Sequence, residues 1–377
     1  MRILHLGKFY PPERGGIETY TRALCEWSVA HGHAVAALVH AAPGMWRTSR
    51  EMQGGVEVRR VACIGTLLYT PLSPTLPIEL SRTLHEFDPD LVHLHLPNPS
   101  CFAVLASARA RRRPWIVHWH AEVPADAPSS RLRAAYRVYR PFEQALLKRA
   151  SAIVTTSQPY LDASPALAPW RAKTRVIPLG IADAATPSPR ADLWPEGTGI
   201  RVLAVGRLSH YKGFDVLVDA LAKAPHVRVL LVGEGECADS LRARAAGRGV
   251  ASRIRFAGGL DDATLLAAYA SADVFALPSL NRGEAFGMVL LEAMRARLPV
   301  VASAIPGSGV SEVVADGETG LLVKPGDADA LAVALERLDD ADVRARLGEA
   351  GRVRFERQFT LERSAASWLA LYRELTA

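Results

Sequence analysis

Short apolar runs rich in β-branched residues recur through the first half of the chain, at residues 2–6, 34–39, 56–61, 91–94, 115–118, 152–155 and 175–177, with helix-forming stretches between them. This alternation predicts a parallel sheet connected by helical crossovers. The pattern stops across 183–199, where Pro187, Pro189, Pro195, Gly197 and Gly199 mark a linker. A second strand–helix series follows, with strands expected at 200–205, 227–232, 254–256, 274–277, 300–302 and 320–323. Charged helical patterns over 327–354 and 361–375 close the chain. The expected class is α/β, and the expected division is a first domain at 1–183, a linker at 184–199, a second domain at 200–355 and a terminal helical segment at 356–377. Two such sheets facing each other would form a cleft at the carboxyl ends of their strands, the usual ligand site of open α/β sheets.

A length of 377 residues agrees with two domains, each able to bury a core. Cys25, Cys63, Cys101 and Cys237 stand apart with no paired spacing, so neither a zinc cluster nor a disulfide framework is expected, and the cysteines read as buried thiols in a reducing cytoplasm. The first residues do not resemble a signal peptide, and no apolar run approaches the ~18 residues of a membrane span, so a cytoplasmic location is expected.

Charge changes this picture. Residues 1–190 hold 23 Lys or Arg against 14 acids, whereas 191–377 hold 22 against 25. Within the first half, 109–149 carries ten basic residues against three acids, including Arg131, Arg133, Arg137 and Arg140, interleaved with Tyr136, Tyr139 and Phe142. Such a basic-aromatic face suits an anionic membrane surface, with a merely solvated face as the alternative. No nucleic-acid motif accompanies it.

The most informative segment is Gly283-Glu284-Ala285-Phe286-Gly287-Met288-Val289-Leu290-Leu291-Glu292. A polar loop passes through a glycine into an apolar run of helix formers, so a helix N-terminus is expected near Gly287. Its unpaired N–H groups and the positive end of its dipole suit a phosphate. Glu284 and Glu292 are too far apart for a proton-sharing dyad and read as two grips on one long ligand. Gly206-Arg207-Leu208-Ser209-His210-Tyr211-Lys212-Gly213 follows the first strand of the second domain and brings two cations suited to neutralising a diphosphate. Arg14-Gly15-Gly16-Ile17-Glu18 offers a backbone turn ahead of a helix. His120 ends the strand that carries His118, with His93 and His95 two residues apart on another; core or supporting roles are expected for the latter pair.

Together with Pro299-Val300-Val301-Ala302 and Gly317-Glu318-Thr319-Gly320-Leu321-Leu322-Val323, these motifs resemble those of the retaining glycosyltransferases of family 4, over nearly the whole chain. The resemblance implies the GT-B fold, two Rossmann-like doubly wound domains facing across a cleft, with the last helix returning to the first domain. It implies that Glu284 contacts the donor sugar, Glu292 the ribose, and the backbone of Phe286, Gly287, Met288 and Val289 the diphosphate. Arg207 and Lys212 would stabilise the leaving group, Gly15 and Gly16 would lie near the donor phosphate and acceptor, and His120 would bond the transferred sugar. His118 is the alternative to His120. Asp262, in Asp261-Asp262, falls where the family contacts the nucleobase, which favours GDP, while a helix N-cap is the alternative. Pro306-Gly307-Ser308-Gly309-Val310 resembles a loop of the mannosyl- and rhamnosyl-transferring branch.

No metal or cofactor is expected: Asp88-Pro89-Asp90 reads as a turn, Asp327-Ala328-Asp329 as a helix start, and Gly233-Glu234-Gly235 lacks the rest of a dinucleotide fingerprint. The implied activity is transfer of mannose or a 6-deoxymannose from a GDP-sugar to a glycan or polyprenyl-diphosphate-linked saccharide in cell-envelope polysaccharide synthesis. Other readings are a UDP-sugar-dependent transferase, a sugar-nucleotide epimerase on the same frame, and a nucleotide-sugar-binding scaffold.

Overall fold

The computed structural model describes residues 1–377 except Arg14, Tyr69, 124–129, Thr186 and the side chain of Leu132. Arg14, the first residue of the expected glycine loop, therefore lies outside the described residues. The chain forms two compact units. The first comprises 1–156, 161–180 and 361–377, and the second 157–160 and 181–360.

The first unit contains strands β1 (Arg2–Leu6), β2 (Ala34–His40), β3 (Ser49–Gln53), β4 (Val56–Val61), β5 (Gly65–Leu67), β6 (Thr70–Leu72), β7 (Leu91–Leu96), β8 (Trp115–Trp119), β9 (Ala152–Thr155) and β10 (Thr174–Val176). Eight of them make one sheet in the order β10-β9-β8-β7-β1-β2-β4-β3, parallel except for β3 against β4. β5 and β6 form a separate antiparallel pair. Helices α1 (Gly16–Ala30), α2 (Leu76–Glu86), α3 (Ala103–Ala106) and α4 (Ser130–Arg149) follow in order, and α5 (Gln158–Asp162) carries the chain across the boundary between units.

The second unit is a six-stranded parallel sheet of β11 (Ile200–Val205), β12 (Val227–Val232), β13 (Ile254–Gly258), β14 (Val274–Leu277), β15 (Val300–Ser303) and β16 (Gly320–Val323), in the order β13-β12-β11-β14-β15-β16. Its strands are apolar nearly throughout because α6 (Phe214–Leu221), α7 (Ala238–Gly247), α8 (Asp262–Ser271), α9 (Met288–Arg295), α10 (Val310–Val313), α11 (Ala328–Arg337) and α12 (Ala341–Gln358) shield them from water. Residues 191–199 are not a bare tether. Leu193 and Trp194 are buried, the Trp194 indole donates to Ser271 Oγ at 3.1 Å, and Arg228 bonds the carbonyls of Pro195 and Gly199.

The last helix, α13 (Leu361–Thr376), is part of the first unit. Its Trp368 donates to Tyr20 Oη at 2.9 Å, Tyr20 meets Ser364 Oγ at 2.7 Å, and Tyr372 meets His93 Nδ1 at 2.6 Å. Of the four cysteines, Cys25, Cys63 and Cys101 are buried free thiols, but Cys237, at the N-cap of α7, is partly exposed. No helix of the described residues is long and apolar enough to cross a membrane.

Candidate active site

In the second sheet the strand order reverses between β11 and β14, and a crevice opens at such a switch point because the loops leaving the two strands run to opposite sides. The loop after β11 carries Arg207 and Lys212, and the loop after β14 carries Ser279 and Glu284. A short 3₁₀ turn, His210–Lys212, ends in Gly213 at φ 64°, where an added Cβ would lie 2.1 Å from the Pro278 carbonyl oxygen. Only glycine lets the two loops approach this closely.

Lys212 Nζ donates to Glu284 Oε2 at 2.6 Å, and Ser279 Oγ donates to the same oxygen at 2.9 Å. Lys212 and Glu284 are both buried. Burial is the largest single influence and depresses the lysine pKa, but the Glu284 charge, Tyr211 and the hydrogen bond to Glu284 together outweigh it; the net direction is upward, so the ammonium persists. The Glu284 backbone is pinned as well: its carbonyl accepts from Ser308 Oγ at 2.5 Å, and its N–H donates to the Asn281 carbonyl at 3.0 Å. Gly309 N bonds the Ala285 carbonyl at 2.8 Å, so the 306–310 loop buttresses the glutamate loop.

The expected helix N-terminus is present. Gly287, at φ 83°, caps α9, whose first residues are Met288 and Val289, while Phe286 is buried just before it. Glu292, on the second turn of α9, is half-buried and accepts from Tyr269 Oη of α8 at 2.6 Å. Burial raises its pKa, with the tyrosine bond acting against that shift.

Two expected residues stand apart from this buried set. Arg207 is exposed, close enough to Lys212 for its charge to press the lysine pKa downward. Asp262 is exposed in the first turn of α8, whereas Asp261 is the helix cap, its Oδ1 accepting from Thr264 N at 2.7 Å. The sequence reading did not include Ser279 or Tyr269, the hydroxyls that hold the two glutamates. A hydroxyl five residues before Glu284 is a weak signal, and Tyr269 has none because it belongs to a different helix.

In the first sheet the order reverses between β1 and β7. Gly15 is the N-cap of α1 and Gly16 its first residue; both follow the loop after β1. β8 ends at Trp119, and His120 is the next residue. It is buried, its Nε2 lies 3.0 Å from His95 Nδ1, and burial holds its pKa down to about 3. His118 is also buried, its ring centroid 3.8 Å from that of His120. His93 and His95 on β7 and His5 on β1 complete a core of five imidazoles. Two overlapping sets, His5-His93-His95 and His95-His118-His120, each bring three ring nitrogens within 4.8 Å of one another.

Known proteins are similar to this chain in sequence and in fold. Residues 190–354 match the family model described as glycosyl transferases group 1, and residues 15–180 match that of the glycosyl transferase 4-like domain. The O-antigen chain mannosyltransferase C of Escherichia coli is 30% identical, covering 100% of this chain and 99% of its own. The D-rhamnosyltransferase WbpZ of Pseudomonas aeruginosa is 32% identical over 96% of this chain and 92% of its own. Among solved structures, sucrose-phosphate synthase from Thermosynechococcus elongatus superposes with a TM-score of 0.82 at 28% identity, covering 99% of this chain and 98% of that one. Two Rossmann-like units, matched by these two family models over 15–180 and 190–354, identify the chain as a member of the group 1, family 4-like glycosyltransferases of GT-B fold.

Proposed function

We propose that this glycosyltransferase moves mannose or a 6-deoxymannose, with retention, from a GDP-sugar to a glycan or polyprenyl-diphosphate-linked saccharide of the cell envelope. The observation that carries this reading is the buried Lys212–Glu284 pair at the switch point of the second sheet, 2.6 Å long and beside the N-terminus of α9. A permanently charged ammonium and the first N–H groups of a helix are what a departing diphosphate requires. In this reading Lys212 and Arg207 hold the diphosphate together with the amides of 286–289, and Glu284 and His120 orient the sugar. Glu292 holds the ribose, Asp262 meets the base, and Gly15 and Gly16 lie along the phosphate and acceptor. As the bond from the anomeric carbon to the phosphate oxygen breaks, the acceptor oxygen bonds that carbon on the same face. Its proton passes to the leaving phosphate oxygen, so no protein nucleophile is needed. The E. coli and P. aeruginosa relatives support the sugar assignment by their names.

A donor panel of GDP-mannose, GDP-rhamnose, UDP-glucose and UDP-N-acetylglucosamine, read by nucleotide release, tests this assignment. The expected result is turnover with a GDP-sugar, reduced about 100-fold or more in Lys212→Ala, the scale of losing one preorganised transition-state contact. Turnover restricted to UDP-sugars rejects the donor assignment, and full activity in Lys212→Ala rejects the site.

We also propose that the enzyme is cytoplasmic and adheres to the inner membrane face through α4. This helix exposes Val138 and Phe142 at 68% and 51%, and a groove of about 540 Å³ is lined by Arg133, Tyr136, Arg137, Arg140, Pro141 and Gln144. Apolar side chains among arginines suit an anionic interface. Co-flotation with anionic vesicles at low salt, lost at high salt, is expected; no co-flotation at low salt rejects it.

A further inference from the structure

The buried imidazoles of the first unit are arranged in rows. His5 Nδ1 lies 3.0 Å from His95 Nε2, and His95 Nδ1 lies 3.0 Å from His120 Nε2, so three rings, on β1, on β7 and just past the end of β8, are joined nitrogen to nitrogen. The His95 and His120 rings are nearly coplanar, inclined by 8°. A parallel row runs from Tyr372 Oη to His93 Nδ1 at 2.6 Å and from His93 Nε2 to His118 Nδ1 at 3.3 Å. Its last ring overlaps His120 at 3.8 Å. The cluster does not have the form of a metal cage. His93 and His95 stack with centroids 4.5 Å apart and planes inclined by only 4°, so one ion cannot lie in both ring planes, and His95 and His120 already meet at hydrogen-bond distance.

We propose that His95 is a positioning residue for His120: the row His5–His95–His120 fixes the tautomer and orientation of the imidazole that meets the transferred sugar. This inference rests on the role given to His120 above.

The argument is one of donor counting. A neutral imidazole has one N–H and one lone pair, so a row of them has a single direction. If protons point from His5 toward His120, then His95 Nδ1–H donates to His120 Nε2, and His120 carries its proton on Nδ1. If they point the other way, Nδ1 of His120 is bare. Every member is neutral, because burial drives all three pKa values far down, to about 3 for His5 and His120. The two ends of the row, His5 Nε2 and His120 Nδ1, are buried and have no hydrogen-bond partner among the described residues. A sugar hydroxyl can donate or accept, so it satisfies His120 in either direction. The difference is left at His5, where one direction buries a bare lone pair and the other a bare N–H. An orphaned N–H is the rarer defect in folded proteins. The row therefore runs toward His120 in the complex, and Nδ1–H of His120 is the donor offered to the sugar.

The test uses the full-length enzyme and three substitutions. His95→Leu removes the partner of His120, whereas His95→Asn keeps an N–H near the position of Nδ1 and breaks only the link to His5. His95→Leu is expected to lower kcat roughly tenfold or more, the scale on which residues that orient an active group act. His95→Asn should restore most of this loss. Nitrogen-15 NMR of histidine-labelled protein should show His120 protonated at Nδ1 in the wild type and in His95→Asn, and a tautomer mixture in His95→Leu. In a His120→Ala background, His95→Leu should cause no further loss of kcat, which a generally structural role would not produce. An Nε2-protonated His120 in the wild type, or additive losses in the double variant, overturns the inference. If His120→Ala alone leaves kcat unchanged, the sugar-contact reading itself has failed, a result separable from failure of the His95 role.

Discussion

Residues at the candidate donor site are held by hydroxyls. Ser279 fixes one oxygen of Glu284, and Tyr269 fixes one oxygen of Glu292. Tyr269 is itself rigid, buried and stacked on Phe275 with centroids 5.7 Å apart. Tyr269→Phe keeps that packing and removes only the hydrogen bond, leaving a half-buried carboxylate whose protonated form burial already favours. The bond is worth about 1 kcal/mol, or roughly fivefold in affinity. If Glu292 grips the ribose, that grip is the same in ground and transition states, so the loss should appear in binding and not in turnover. Titration calorimetry with GDP should show a Kd several-fold weaker in Tyr269→Phe, with kcat nearly unchanged. Undiminished GDP affinity would remove Glu292 from the ribose.

At the scale of elements, the orientation of α9 depends on one residue. Gly287 caps it at φ 83°, and a Cβ there would meet Leu290 Cδ1 at 2.7 Å and Leu277 Cδ2 at 3.3 Å. Gly287→Ala therefore combines left-handed backbone strain of about 1–2 kcal/mol with a clash inside the first turn. Gly317 supplies the comparison: its φ is 73°, with nothing within 4 Å of an added Cβ. Thermal melts should show Gly287→Ala less stable than Gly317→Ala, and only the former should lose nucleotide binding; equal effects would mean that the α9 terminus is not the phosphate seat. This helix start was legible in sequence because a polar loop, a glycine and an apolar run follow one another. The central strands were legible for a similar reason, since burial on both faces leaves a continuous apolar run. β3 was not, because Ser49–Gln53 is almost wholly exposed and has no apolar pattern; its only signal is the Gly54-Gly55 turn. The histidines were visible as pairs two residues apart. Their meeting was not, because it depends on β1, β7 and β8 being neighbours and on His95 lying in register with His118.

At the scale of the whole molecule, the two units differ in how acid acts on them. In the first, His5, His40, His93, His95, His118 and His120 all have pKa values pushed below 6.5, chiefly by burial. Each stays neutral when folded and takes a proton when unfolded, so its contribution to stability is complete above pH 6.5 and falls as the pH drops below it. Glu143 acts in the opposite sense. Burial lifts it to about 7, so its folded form favours the proton, and its contribution is complete below about 4.5 and is lost as the pH rises toward 7. Among the described residues of this unit the lowered imidazoles outnumber the one raised carboxylate, so unfolding takes up protons and stability falls as the pH drops below 6.5. In the second unit Asp183, Asp219 and Asp273 have lowered pKa values through bonds to Arg352, Arg244 and Arg201, opposed by burial, which is the largest influence at Asp273. Their contribution is complete above the ordinary aspartate value near 3.9 and is lost only below it. Burial raises Glu292 and Glu312 there, so acid favours the folded form at both. As the pH falls below 6.5, acid should therefore destabilise the first unit ahead of the second. Peptide-resolved hydrogen exchange down a pH series should show β1, β7 and β8 losing protection before β11, β12 and β14; simultaneous loss would mean that the imidazole core does not set the acid limit.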